Sequence, residues 1–353
     1  MAALVRERAN KTGGGAGLGR GLSAAVFSPG EDTIAALDRA ASLLPIEFTI
    51  YADAANMRTV KSQASANCYK LVQTENTISE LSASLFGGRA RGDVAPGNKA
   101  PSGKTRSQNF FHFLVRGDLL SLEETYQAIS PTRQAISVPR EADLPCPAES
   151  PPAVAQERPA ESPPALFLSH VAAFEAASLS RVLLISDGFV NQNPDLATRL
   201  AIIRNGLKVC EEIGISQPKV ALLAAVEQVY PGMPVTVESS EIAKMAAGGA
   251  IEGALVEGPL SFDVALDEEV ARDKGVPGRV AGKADLLVGS SIEVISGIYM
   301  AQTVLARAMA ASVVVGGRAP LALPFPSDCV DNIFYSLCLA GLLSTGPRQT
   351  SLP

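Results

Sequence analysis

The sequence predicts an α/β protein with a mostly parallel, doubly wound sheet covered by helices on both faces. Three observations lead there. Short, wholly apolar runs rich in Val, Ile, Leu and Ala recur along the chain, as strands buried on both faces do. Between them lie segments with apolar residues at helical spacing, and this alternation is the signature of right-handed βαβ crossovers. With 47% hydrophobic and 19% charged residues over 353 positions, the chain has apolar surface enough for one deep core or two domains.

Residues 1–21 close in Gly13-Gly14-Gly15-Ala16-Gly17-Leu18-Gly19-Arg20-Gly21, too glycine-rich to order itself, and are expected to be a disordered tail. Arg6, Arg8, Lys11 and Arg20 lie there without an apolar stretch between them, which argues against a secretory signal. Ala24-Ala25-Val26-Phe27 reads as the first strand, and residues 32–44 as a helix with Ser28 or Asp32 as its N-cap. Strands follow at 48–51 and 68–72, then a helix at 77–86 stopped by Gly87-Gly88. A polar segment at 89–108 precedes a strand at 110–115.

From 131 to 164 Pro, Ala and Glu dominate, and Pro-Ala-Glu-Ser-Pro-Pro-Ala occurs at both 147–153 and 159–165. Such a tract lacks the side chains to pack and predicts an extended insertion. Beyond it, 182–185, 220–225, 253–256, 286–288 and 312–315 read as parallel strands, with helices at 194–212, 239–247 and 294–310. The expected division is a first α/β domain of 22–130 plus 316–353, an insertion at 131–165, and a second α/β domain of 166–315.

Composition also excludes. A net charge of −6 argues against nucleic acid or an anionic membrane as the main partner. The best apolar run, 304–315, is too short to span a bilayer and carries Arg307. Five cysteines fall in no metal or redox spacing, and their odd number argues against a disulfide framework, so a reducing, cytoplasmic setting is expected. The two histidines, His112 and His170, are too few for a His-rich metal site, and His112 between Phe111 and Phe113 reads as a core residue. Gly15-Ala16-Gly17-Leu18-Gly19 lacks the preceding strand that a dinucleotide loop needs. Gly97-Asn98-Lys99-Ala100-Pro101-Ser102-Gly103-Lys104-Thr105 imitates a P-loop, but it has one residue too many between its glycines and precedes a strand.

The richest stretch is 166–195. A strand-like segment ends in Ser186-Asp187-Gly188-Phe189-Val190-Asn191, and open α/β sheets bind ligands just past the carboxyl ends of their strands. Leu168-Ser169-His170-Val171, Asp187 with Asn191, Pro194-Asp195-Leu196 and Val220-Ala221-Leu222-Leu223-Ala224-Ala225-Val226-Glu227 form a connected series. Gly258-Pro259-Leu260-Ser261-Phe262-Asp263 and Val280-Ala281-Gly282-Lys283-Ala284-Asp285 continue it. In residue type and register this series resembles the phosphate acetyl/butyryl transferase family, and the butyryl branch most closely. Before Leu166 the likeness is weaker, with Leu114-Val115-Arg116-Gly117 standing for a family strand that ends in Lys-Gly.

The resemblance implies two α/β/α domains with mostly parallel sheets, an interdomain cleft, and the architecture of the isocitrate/isopropylmalate dehydrogenases. It implies exchange of a short acyl group between coenzyme A and phosphate, so that acyl-CoA and phosphate or acyl phosphate are the partners. No metal or prosthetic cofactor is implied, and a cytoplasmic homodimer is. Asp331 falls on the family's catalytic Asp in the acetyl branch and on a Glu in the butyryl branch, which implies the base for the thiol. Ser169, Asp187 and Asn191 are implied to shape the cleft, and Arg116, Gly117, Lys283, Ser296 and Arg318 to lie toward substrate. A thiol of pKa ~8.5 needs such a base, and a phosphate needs Arg forks or amide donors.

Four departures fall on that chemistry. The family's Ser-Arg pair after the last strand is absent: Pro320-Leu321-Ala322-Leu323 runs into Pro324-Phe325-Pro326, with no Arg between Arg318 and Arg348. Leu120-Ser121 and Gln127 stand where the family has His-Thr and an Arg. The Pro/Ala/Glu insertion replaces a basic segment, and Glu293-Val294-Ile295-Ser296 replaces Glu-Ala-Gly-Asn. The alternative is therefore a degenerate homologue that binds acyl-CoA or a partner subunit without turnover, and apolar surroundings at Phe325 would favour it.

Overall fold

A computed structural model describes residues 22–43, 46–63, 69–74, 113–117, 166–175 and 181–344, with Leu81, Ser84, Thr125, Ala128 and Leu179. The glycine-rich tail, the Pro/Ala/Glu tract, the P-loop imitation, His112 and most of the helix expected at 77–86 lie outside the described residues.

The first strands are β1 (Leu22–Phe27), β2 (Ile46–Ala52), β3 (Tyr69–Gln73) and β4 (Phe113–Arg116). Helix α1 (Glu31–Leu43) links β1 to β2, and α2 (Ala54–Gln63), which periodicity did not reveal, follows β2. After the tract come β5 (Ser169–Glu175), β6 (Val182–Ser186), α3 (Leu196–Glu212), β7 (Lys219–Leu223), α4 (Pro234–Met245) and β8 (Leu255–Leu260). Two short helices, α5 (Phe262–Leu266) and α6 (Glu268–Asp273), lead to β9 (Leu286–Val288) and α7 (Ile292–Met300). The chain closes with β10 (Met309–Val315), β11 (Leu321–Ala322) and α8 (Val330–Ser344).

All the described strands join in one sheet of order β3-β2-β1-β4-β11-β10-β5-β6-β9-β7-β8. Pairing is parallel except along β11–β10–β5–β6. The α/β class with a mostly parallel sheet is thus as expected, but β10, read as parallel, runs against both its neighbours. The reason is connection length. Residues 316–320 join β10 to β11 and 176–181 join β5 to β6, and a parallel return needs a crossover of a dozen residues or more.

The helix expected at 294–310 also ends early. After α7 the chain takes a wider turn at Ala301–Leu305 and is already strand at Met309. The run Ala308-Met309-Ala310-Ala311 is apolar at every position, so its period cannot separate helix from strand.

Side chains alternate across the sheet and build one core on each face. In β5, Val171 and Ala173 enter one cluster while Ala172 and Phe174 enter the other. The first core is closed by α1, α3, α4 and α8 through residues such as Leu37, Ile202, Ile242 and Leu337. The second is closed by α5 and α7 through Val264, Ile295 and Tyr299. At about 25 cal/mol per Å² of apolar area removed from water, these two layers are the main source of stability. No described helix is long and apolar enough to cross a membrane.

Candidate functional site

The site takes shape where the chain leaves β6 and β11. The peptide Ser186–Asp187 is cis, and the Asp187 carboxylate is buried. Its Oδ1 accepts the amide N–H groups of Phe189 (2.9 Å) and Val190 (2.8 Å), and its Oδ2 accepts the Asn191 side-chain amide (2.6 Å). An Asp that caps the amides two and three residues on is a self-contained turn, which is why these residue types stand at this spacing. Asn191 also donates to the Leu168 carbonyl at 3.0 Å, tying the turn to the entry of β5. Burial raises the Asp187 pKa above its ordinary value, and the amide bonds pull it back only in part.

His170 lies under this turn. The Gly188 N–H donates to Nδ1 at 3.3 Å, and a backbone amide can only donate. The ring proton therefore sits on Nε2, which donates to Ser312 Oγ at 2.7 Å. Burial holds the imidazole pKa down at about 3, so the ring is neutral at pH 7. A Cβ on Gly188 would press on Ile295 and on His170 Nδ1, so glycine lets the turn approach this closely.

Phe325, just after β11, folds back over the sheet. Its ring stands edge-on to His170 (5.6 Å between centroids) and Phe189 (6.0 Å), and 4.5 Å from Tyr299 of α7. Tyr299 donates its hydroxyl to Asp328 Oδ2 at 2.7 Å, and the same oxygen accepts the Phe325 N–H at 2.8 Å. Asp328 Oδ1 accepts from Asn332 at 3.3 Å. Burial raises the Asp328 pKa, with Tyr299, the Phe325 amide, Asn332 and the nearby Arg116 opposing it. Burial also keeps the Tyr299 phenol far above its ordinary value, so it is protonated and acts as the donor.

Arg116, at the end of β4 and 1% exposed, completes the seam. It donates through Nε to Thr125 (3.0 Å) and through Nη1 to the Pro324 carbonyl (2.7 Å). The result is a buried cluster in which aromatic rings surround two carboxylates with raised pKa values and one guanidinium.

The structure gathers some of the sequence-predicted residues here and places others elsewhere. Asp187 and Asn191 form the turn itself. Ser169 is buried at the start of β5, where Asn205 donates to its hydroxyl at 3.0 Å. Gly117 follows Arg116 and donates to the Phe27 carbonyl at 2.8 Å, packed so tightly that a Cβ would collide with Ser28. Ser296 is half-buried on α7, with its backbone N beside Gly188.

Lys283 lies apart, ion-paired to Glu268 at 3.3 Å beside a surface hollow of about 450 Å³. Arg318 is exposed after β10. Asp331, in the first turn of α8, is exposed and bonds to Arg39 of α1. Other residues of the same motifs are structural. Asp195 caps α3 through the Thr198 N–H (2.8 Å), and Asp285 accepts the Lys219 N–H (2.9 Å). Among the described residues no group of His, Cys, Asp or Glu is placed to hold a metal ion.

Residue reasoning passed over His170, Tyr299 and Asp328. His170 has a local signal, a histidine inside an apolar strand. Asp328 reads as a helix cap, and its tie to Tyr299, 29 positions away, is visible only in three dimensions.

A family model described as phosphate acetyl/butaryl transferase matches residues 159–340, more than half of the sequence. The chain belongs to this family. The phosphate butyryltransferase of Clostridium acetobutylicum is 39% identical over 177 residues, 50% of this chain and 59% of that protein. The phosphate acetyltransferase of Thermotoga maritima is 36% identical over 177 residues, 50% of this chain and 60% of that protein. The chain thus spans about three fifths of the length of these relatives. Among solved structures, a branched-chain phosphotransacylase from Enterococcus faecalis superposes with a TM-score of 0.65 at 23% identity. That superposition covers 92% of this chain and 99% of the other, and shows a shared fold. Every seam residue except Arg116 and Thr125 lies within the stretch matched to the phosphate acetyl/butaryl transferases.

Proposed function

We propose that this chain is a phosphate acyltransferase that exchanges a short acyl group between coenzyme A and phosphate. The observation that carries this reading is the family match over 159–340, which takes in Asp187, Asn191 and the β11–α8 loop. Acyl-CoA and phosphate or acyl phosphate are then the substrates, with no metal or prosthetic group, in a cytoplasmic homodimer. In the direction that consumes acyl phosphate, the coenzyme A sulfur bonds to the acyl carbon. The bond from that carbon to the phosphoryl oxygen breaks, and phosphate leaves with the electron pair. Surroundings poor in water would suit this step, because charge developing on the acyl oxygen is stabilised more strongly by fixed dipoles there than in water. Asp187 and Asn191 keep the turn after β6 in shape, with Ser169 and Ser296 beside it and Gly117 at the end of β4. Phosphate would be met by Arg116, released from Thr125 and Pro324, or by Arg318 and Lys283 from the surface.

A second reading is favoured by Phe325 and Arg116. Apolar rings line the place where the family carries its Ser-Arg pair, and Arg116 already donates to Thr125 and Pro324. Apolar surroundings of this kind, with the guanidinium already engaged, suit a protein that holds acyl-CoA, or a partner subunit, without turnover. Release of coenzyme A from acetyl-CoA and butyryl-CoA, with and without phosphate, separates the two. Phosphate-dependent release supports the acyltransferase. Folded protein that binds butyryl-CoA by calorimetry and releases nothing supports the second reading.

A further inference from the structure

We propose that Ile295 sets the acyl-chain length in this exchange, by filling the recess that receives the acyl tail and so restricting the protein to the shortest groups. The inference rests on the acyltransferase reading above and names its substrate more narrowly. Gly188 follows β6 and Gly289 follows β9, its parallel neighbour, and both glycines are buried. Neither has the positive φ that calls for glycine. What glycine supplies at both places is room, and one side chain takes it up. A Cβ on Gly188 would stand 2.9 Å from Ile295 Cγ2, and one on Gly289 would stand 2.4 Å from Cγ1 and 2.9 Å from Cδ1. Ile295 is 0% exposed, so its outer carbons fill the gap between the two strand ends.

Place and lining decide what this recess takes. It lies past the carboxyl ends of two parallel strands, where open α/β sheets hold their ligands. The amide of Gly188 meets His170, so the recess borders the site already described. The first turn of α7 brings it near solvent, with Glu293 and Val294 exposed and Ile292 and Ser296 half-buried. Its walls are glycine backbone, the Ile295 hydrocarbon and, at Gly188, the neutral His170 ring. A phosphate needs cations or N–H forks, and the amides of a pantetheine arm need hydrogen-bond partners. The acyl tail has no polar group, so it is the part of the substrates that can take the place of a buried isoleucine.

The size of the effect follows from counting carbons. With Ile295 in place, no carbon beyond the acetyl methyl finds room. Ile295→Ala removes Cγ1, Cγ2 and Cδ1, and the butyryl group is two methylenes longer than the acetyl. Each methylene that moves from water into an apolar site gains a factor of about 4, so two give about 15. Ile295→Val removes Cδ1 only, which makes room for the extra carbon of a propionyl group.

The test measures kcat/KM for acetyl-CoA, propionyl-CoA and butyryl-CoA with phosphate, in full-length wild type, Ile295→Val and Ile295→Ala. Wild type is expected to favour acetyl-CoA over butyryl-CoA by about 10-fold or more. Ile295→Ala is expected to raise the butyryl-to-acetyl ratio about 15-fold, and Ile295→Val the propionyl-to-acetyl ratio about 4-fold. A residue that only packs the core moves all three substrates together and leaves both ratios where they were. Melting temperatures of the variants report the lost packing separately.

The proposal is overturned if wild type uses butyryl-CoA as well as acetyl-CoA, or if the ratios stay fixed in the variants. Ile295→Val decides alone if Ile295→Ala does not fold. If wild type turns over no acyl-CoA, the acyltransferase reading itself fails, and calorimetry with the same three thioesters decides the recess. An affinity ratio that rises toward the longer chain in the folded variant supports it, and an unchanged ratio overturns it.

Discussion

Acid should unfold this protein partly through His170, and the size of the effect can be worked out. The ring is fully buried and held neutral, with its pKa brought from 6.5 to about 3 by burial. Unfolding restores the ordinary value, so between about pH 6.5 and 3 the unfolded chain binds the extra proton. Stability from this group is complete above pH 6.5 and is lost as pH falls through that window. At about 1.4 kcal/mol per pKa unit the full loss is about 5 kcal/mol, and about 2.7 kcal/mol of it has gone by about pH 4.5.

His170→Gln removes the titration while leaving one donor and one acceptor. At about pH 7.5 it should cost about 2–3 kcal/mol, from lost ring packing and imperfect bonds to Gly188 and Ser312. Urea unfolding of both proteins at about pH 7.5, 6.5, 5.5 and 4.5 measures the gap. Asp187 and Asp328, whose raised pKa values favour the fold as pH falls, titrate in both proteins and cancel. The gap should close by about 1.4 kcal/mol per pH unit below 6.5. A gap that stays constant with pH would refute the reasoning, because His170 would then not be charging on unfolding.

Asn191→Ala should destabilise by about 2–4 kcal/mol in denaturant unfolding, since it leaves the Leu168 carbonyl without this donor and deprives a buried carboxylate of a 2.6 Å bond. Gly316→Ala should cost at least about 2 kcal/mol, because Gly316 has φ 92° and a Cβ there would overlap the Phe167 carbonyl; soluble yield and melting temperature report it. Arg39→Ala should cost no more than about 1 kcal/mol, because its pair with Asp331 is exposed and screened by water; a change in denaturation midpoint near zero is expected.

Much of the fold could be read from the chain. The apolar runs at 182–185, 220–225 and 286–288 became β6, β7 and β9, since a strand buried on both faces must be apolar throughout. Asp187 and Asn191 were singled out past the end of a strand as cleft residues, whereas the turn they close, with hydrogen bonds that span four residues, was seen only in the structure. The turn of β10 against its neighbours was not legible, because its apolar run is the same for either direction. Two-residue β11 gave no periodic signal at all.

By itself the sequence determined the α/β class and the family. Each follows from residue type and spacing along the chain. Only the tertiary structure decided which carboxylate after β11 is buried, that Arg116 is clamped to Thr125 and Pro324, and that Phe325 meets His170 and Tyr299. Those contacts join β4, β5, α7 and α8. Their energies depend on burial and on partners up to 208 positions apart in the chain, a separation that no local pattern encodes.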